Sequence, residues 1–499
     1  MDYDSATIIK NCKVTIDILN IDDGKIEIQE AIGALIFYLQ DGQVPSATKL
    51  SLEAITSTIS VRKNLISKYI DSNILNFLST QLSSGDDEVK RLVCVLLRLI
   101  IKEEDDTVNR YKHLSHICAS SIPDLLIASS GSDNSYVQFH ALFAISNLIN
   151  HSSPQYVRSL ISNPSIFRVM GNILDSKTGK NTFDELDTIV IVKVLTIISL
   201  LLKAPENSDA FGIVKDMGLL FKIFGLLTID NPIILEYTIA VFINITCYAD
   251  TSIKEELINF GILLSIATAI QRFSYSTNSS NLNILLNCAK VLSNLTNFPI
   301  AEVKNPENVN SMDVLFNNRE IIVNSFELVK TRDYNIQLCA LKTLVNLLNL
   351  SSTANIVKDF KDYNILPEIK KIYSRMLKDN STDEREFMYS HSSMKDDIKN
   401  QVLNILGLLC LYDDALINMK SEIVNEGFIA LLIDELKEQQ VSNESKLTLK
   451  VLECLFCLSS NNFSAQQEIS IHKEKVLEIC NDAPPSSVSR VQELVCGIF

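Results

Sequence analysis

Apolar residues recur along the chain at helical spacing, with a polar residue set near the middle of each apolar stretch. Val137-Gln138 through Ala141-Leu142 to Ile145-Ser146-Asn147-Leu148 shows the pattern; apolar positions three and four apart fall on one helical face. The same register returns in Leu235 to Asn244-Ile245, in Ile284 to Leu292-Ser293-Asn294-Leu295, and in Ile336-Gln337 to Leu344-Val345-Asn346-Leu347. With Asn147, Asn244, Asn294 and Asn346 as one position, weaker copies place Ser57, Arg98, Ile197, Leu408, Cys454 and Cys496 there. Successive gaps from Ser57 are 41, 49, 50, 47, 50, 52, 62, 46 and 42 residues. A quasi-regular unit with loops of varying length predicts about nine or ten stacked repeats, each burying its apolar face against its neighbours.

Two further patterns precede each such helix. Met217-Gly218-Leu219-Leu220, Phe260-Gly261-Ile262-Leu263 and Glu426-Gly427-Phe428-Ile429 read as a glycine starting or separating a helix. Before them stand short amphipathic segments: Asn207 to Lys215, Ile253 to Asn259 and Ile417 to Val424. The unit therefore has three helices. From Ala47 to the C-terminus, and most closely from Ser135 to Leu350, the sequence resembles the armadillo repeat family, whose second helix starts at Gly and whose third ends in Asn followed by an aliphatic residue. The resemblance implies an all-α, right-handed superhelical solenoid of three-helix repeats. Residues 1–46 are expected to form a helical cap and residues 47–499 the solenoid. The charged, Ser-containing stretch 378–397 buries too little apolar area to fold and is expected to be a mobile loop. Shorter polar insertions are Asp175 to Asp187, Ser274 to Asn281 and Lys304 to Asn318.

Composition fits this reading. Hydrophobic residues are 46% of the chain against 14 Gly and 11 Pro, which favours long helical arrays over turn-rich sheets. The net charge of −15 argues against nucleic acid as a partner. The most apolar run, Ile189 to Leu202, is broken by Lys193 and falls short of the ~20 residues a membrane span needs. The N-terminus has no basic region of a signal peptide, and the cysteines sit mostly inside apolar patterns, as Cys94, Cys288, Cys339 and Cys410 do. A cytoplasmic, or also nuclear, protein with reduced thiols is expected.

Candidates for chemistry are few. His113, His116 and Cys118 lie close enough on a helix to approach a metal, but no second pair with metal-site spacing accompanies them, so a partly buried helix surface is expected and no metal or cofactor. Cys454 and Cys457 form a CxxC around Leu455-Phe456, the interior of a helix rather than a redox-active turn. Cys496-Gly497-Ile498-Phe499 fits a prenylation box, which would attach the chain to a membrane. Against it, Val488, Val491, Leu494, Val495 and Ile498 repeat at helical spacing, and a last structural helix is the expectation. Signatures of phosphate, dinucleotide, acyl-transfer and metalloprotease chemistry do not occur, and no enzymatic activity is expected.

In armadillo proteins the third helices line a concave groove, and their Asn side chains hold the backbone of an extended peptide. By resemblance, Asn147, Asn244, Asn294 and Asn346 take that role. Four residues earlier stand Phe143, Ala240, Lys290 and Lys342, with Lys193 and Lys450 in two weaker units, so the groove is basic in places and suits an acidic segment of a protein partner. The same amides could instead satisfy neighbouring helices. Importin-alpha proteins carry Trp one turn before the Asn; this chain has no Trp, which argues against recognition of basic import signals. The expected function is a non-catalytic scaffold or adaptor. The alternative is an exchange factor or co-chaperone clasping a small GTPase or the nucleotide-binding domain of a heat-shock chaperone.

Overall fold

The computed structural model describes residues 30, 32–37, 45–71, 73–102, 107–178, 183–203, 208–274, 278–298, 319–350, 354–378, 388–411, 418–442, 445–482 and 488–499. Among them every regular element is a helix. Most of the proposed cap, the whole of 304–318 and residues 379–387 of the proposed loop lie outside the described residues.

The helices fall into three recurring classes, and all ten register residues lie on the third. These third helices are α1 (Pro45–Val61), α2 (Asp87–Lys102), α3 (Ser135–His151), α4 (Glu185–Leu202), α5 (Pro232–Tyr248), α6 (Ser279–Thr296), α7 (Tyr334–Leu350), α8 (Met388–Leu411), α9 (Ser445–Ser459) and α10 (Val488–Ile498). The chain divides into two compact units, Met1–Tyr248 and Ala249–Phe499. In the first, α1 to α5 pack each against the next, and in the second α6 to α10 do the same. Second helices, such as Ile122–Ser130 and Pro164–Thr178 in the first unit and Leu366–Lys378 and Phe428–Ser442 in the second, form a parallel row that also packs onto the third helices. Short first helices complete the repeat, as Thr251–Asn259 does before Ile262–Phe273.

Polar residues at the helix ends explain where each helix begins. The Asn134 side chain accepts from the Tyr136 and Val137 N–H groups at the start of α3, Asp184 accepts from Asp187 N–H in α4, Asn231 from Ile233 and Ile234 in α5, and Asp333 from Asn335 and Ile336 in α7. Each carboxylate or amide oxygen occupies donors that the first helical turn leaves open. The Gly positions behave as the sequence predicts: Gly218, Gly261 and Gly427 take φ of 67°, 87° and 75° between the first and second helices, a region that costs a side chain but not glycine. Gln138 and Gln337, equivalent residues early in α3 and α7, are buried and bond backward. Gln138 Nε2 donates to the Ser130 carbonyl at 3.1 Å and Gln337 Nε2 to the Val329 carbonyl at 3.1 Å, closing the ends of the preceding second helices.

The core is aliphatic, with Leu142, Ile198, Ile239, Leu285, Leu344 and Leu406 among the fully buried residues of the third helices. The run Ile189 to Leu202 lies within α4 as a core helix, and no helix among the described residues is long and apolar enough to cross a membrane. Two insertions differ from expectation. Asp175 to Thr178 continues a second helix and Glu185 to Asp187 already belongs to α4, because Lys177 Nζ and Asp187 Oδ1 meet at 2.6 Å in a nearly buried pair that fastens the two ends. The stretch 388–397, expected as part of a mobile loop, is the first part of α8, which runs on through Ile398, Val402 and Leu406 of the core.

Replacing Gly261 by Ala tests the backbone argument. No atom lies within 4 Å of the added methyl, so the cost is conformational and should be about 1–2 kcal/mol of unfolding free energy. Urea denaturation of the full chain checks it; an unchanged midpoint would contradict the role given to the left-handed glycine.

Candidate functional site

The ladder position sits at the same late turn of every third helix, but its amides face inward more than the resemblance implies. Asn244 Nδ2 donates to the Ser199 carbonyl at 2.9 Å and to Ser199 Oγ at 2.7 Å, joining α5 to α4. Asn346 Nδ2 donates to the Ser293 carbonyl at 3.2 Å and to Thr296 Oγ1 at 3.3 Å, joining α7 to α6. Their amide hydrogens are thus engaged within the fold, while their carbonyl oxygens accept nothing from the described residues. Asn147 and Asn294 are half-buried at the equivalent positions of α3 and α6.

The lysines divide into three situations. Lys290 on α6 is half-buried and Lys342 on α7 exposed; both flank Cys339, whose thiol is pushed up by burial and pulled back by the two ammonium groups. Neither lysine has a hydrogen bond or ion pair among the described residues. Lys450 on α9, in contrast, is occupied: its Nζ donates to Asn404 Oδ1 on α8 at 2.9 Å. Lys193 on α4 stands 3.8 Å above the centroid of the Phe143 ring, and the Arg98 guanidinium on α2 lies 5.6 Å from the same centroid. Burial, and secondly Arg98, hold the Lys193 ammonium below its ordinary value. The cluster is therefore short of negative charge, since among the described residues neither cation meets a carboxylate. Arg98 was visible in the sequence only as an odd residue at the ladder position; its pairing with Phe143 and Lys193 needed the packing of three successive third helices.

One turn before Phe143, the His140 imidazole is pushed down to about 4 by burial and then by the Arg98 and Arg91 guanidinium groups. In the second unit, a pocket of about 450 Å³ opens on the exposed face of α7 to α10, lined by Asn404, Leu408, Leu411, Lys450, Phe456 and Arg490 among others. Sequence reasoning did not find it, because Leu408 and Leu411 sit where the preceding repeat carries Asn346 and Asn349.

The remaining candidates lie apart from these groups. His113 is buried and His116 exposed on the helix Thr107–Cys118, whose Cys118 Sγ lies 3.5 Å from Ser152 Oγ. Cys454 and Cys457 are inside α9, with Cys454 Sγ donating to the Leu403 carbonyl at 3.2 Å. Burial pushes both thiols up, which opposes thiolate chemistry. Cys496 is exposed on α10, but its neighbours Val491, Leu494, Val495 and Ile498 are buried against the rest of the second unit.

Two outcomes follow from this geometry. Asn244→Ala and Asn346→Ala should each lower the unfolding free energy by about 1 kcal/mol, because a carbonyl near a helix end loses its donor; denaturant titration reads this, and no loss would show that the bonds between third helices are dispensable. Folding keeps His140 neutral, whereas an unfolded histidine titrates near 6.5. The unfolded chain therefore gains protons first on acidification, and His140 contributes stability that is complete above about pH 6.5 and lost as the pH falls towards about 4. His140→Gln should flatten that part of the stability profile, and equal acid sensitivity in the two proteins would refute the assignment.

No protein-family model and no curated protein sequence matches the chain. Solved structures do. The crystal structure of an engineered protein matches with a TM-score of 0.67 at 17% identity, covering 94% of this chain and 98% of that one. A structure from work on a phosphorylation switch controlling the interaction between cadherin and β-catenin matches with a TM-score of 0.64 at 13% identity, covering 99% of this chain and 94% of that one. A designed armadillo repeat protein covers 54% of this chain and 98% of its own at 14% identity, with a TM-score of 0.41. With its glycine-started second helices and its rows of packed third helices, the chain has an armadillo-type repeat fold.

Proposed function

We propose that the chain is a non-catalytic protein-binding scaffold whose second unit holds an extended, acidic segment of a partner protein along its third helices. The observation that carries this is the pair Lys290 and Lys342. They stand one turn before the ladder residue on successive third helices, without a counter-charge among the described residues, in a chain whose net charge is −15. Cations without counter-charge on an otherwise acidic protein attract acidic segments there, while its net negative charge repels them elsewhere.

The amides take a narrower part than a two-sided clamp. Asn346, and Asn244 in the first unit, offer only a carbonyl oxygen, so each can accept from a partner backbone N–H while its own hydrogens stay in the fold. Asn294 and Asn147 occupy the matching places. In the first unit, Lys193 with Arg98 and Phe143 supplies a second basic spot for an acidic side chain. Lys450 contributes less, since Asn404 already holds it. The likeness in fold to a structure from work on the interaction between cadherin and β-catenin supports protein binding as the general role. The buried thiols of Cys94, Cys288, Cys410 and Cys454 suit the reducing cytoplasm or nucleus.

A pull-down read by mass spectrometry identifies the partner, and titration of its acidic segment then tests the face. Lys290→Glu with Lys342→Glu should weaken binding about tenfold or more, and the wild-type affinity should fall as salt is raised, since Lys342 is exposed and acts at the rim. An affinity unchanged by both substitutions would remove the third-helix face from consideration.

A further inference from the structure

The ladder changes character near the end of the second unit. Asn294 and Asn346 on α6 and α7 are followed by Leu408 on α8 and Cys454 on α9 at the same register, and it is there that the pocket of about 450 Å³ opens. Its floor is apolar: Leu411 is 71% exposed and Phe456 37% exposed, both large side chains with an uncovered face. Gly407 deepens it, since even a Cβ in its place would stand in open space with no atom within 4 Å. The cations at the rim have partners within the fold, Lys450 a hydrogen bond to Asn404, and Arg490 ion pairs with Glu493 at 2.8 Å and Glu453 at 3.7 Å.

This combination selects the conformation of what lies in it. An extended peptide leaves its backbone N–H and C=O groups open and needs polar side chains to meet them once water is displaced. At α6 and α7 the ladder supplies amides; at α8 and α9 it supplies Leu408 and the buried Cys454, and of the pocket's two amides Asn404 already accepts from Lys450 while Asn349 stands alone at the α7 edge. A helix bonds its own backbone and asks only for an apolar groove. We infer that the pocket takes the apolar face of an amphipathic helical turn of the partner, and that the acidic stretch bound by Lys290 and Lys342 belongs to the same segment. Lys342, Val345 and Asn349 follow one another on the same face of α7, and the last two line the pocket, so the basic and apolar surfaces are continuous. Neighbouring helices pack about 8–10 Å apart. The step from α7 to the pocket over α8 and α9 is thus about 15 Å, which roughly four or five extended residues would cross. The partner motif is an acidic stretch, a spacer of that length, and large apolar residues at helical spacing. The inference rests on the acidic-segment reading for its first half only.

A phage-displayed library of random 20-residue peptides, selected on the full chain, provides the probe. Enriched peptides should carry large apolar residues three and four apart together with acidic residues about five positions away, and should gain helical circular dichroism on binding. Gly407→Leu, whose Cβ enters open space and whose branch occupies the pocket, should weaken these peptides by about tenfold or more, and Leu411→Asp should do the same from the exposed side. Peptides without apolar periodicity, or affinities indifferent to both variants, would overturn the pocket. Sensitivity to Gly407→Leu and Leu411→Asp but not to Lys290→Glu with Lys342→Glu would sustain the pocket and remove the acidic half, the reverse would remove the pocket alone, and no enrichment over an unrelated protein would contradict both.

Discussion

Within each unit a third helix is covered on one side by its own second helix and on another by the third helix of a neighbouring repeat, and no single repeat can supply both. Ile145, Ile198, Ile239, Leu285, Leu344 and Leu406 are buried by this arrangement, and burying each such side chain is worth about 1.5–3 kcal/mol. The apolar faces are therefore committed to the stack, and what remains on the third helices is a narrow stripe of half-buried and exposed residues. The chemistry of that stripe is free to change from repeat to repeat, up to the cost of the inter-helix bonds that Asn244 and Asn346 make, while the aliphatic packing behind it is kept.

That freedom explains why one geometric position serves opposite ends. At Asn244 and Asn346 it carries an amide that ties one third helix to the preceding one. On α2 it carries Arg98, which reaches Phe143 and stands with Lys193 in a cluster rich in positive charge. On α8 and α9 it carries Leu408 and Cys454 and the surface becomes a pocket. Cations without counter-charge, half-engaged amides and an apolar hollow follow one another along the second unit, as a long linear segment of changing polarity would require. A compact substrate would need these groups to converge instead.

The repeat was legible because burial imposes its period. Ser57, Arg98, Ile197, Leu408, Cys454 and Cys496 share no chemistry, yet spacing alone put all of them on third helices. The glycines were legible for a similar reason, since Gly218, Gly261 and Gly427 answer to a local backbone demand. What spacing could not reveal was the partner of each polar group. Asn244 and Ser199 are far apart in sequence and meet only through the stack, and Lys450 is held by an Asn404 that no local pattern singles out. The stretch 388–397 was misread as a loop because its composition is polar, whereas continuity with the apolar turns after it draws it into α8.

The central claim is that the exposed stripe of the third helices is the working surface. A photo-crosslinking amino acid placed at the exposed Asn349 of α7, and separately at Leu264, which is 61% exposed on the second helix Ile262–Phe273, compares that stripe with another surface of the same unit. Crosslinking in cells, read by mass spectrometry, should yield one partner from position 349, lost with Lys290→Glu and Lys342→Glu, and none in common from position 264. The same partner captured from position 264 and not from 349 would contradict the account.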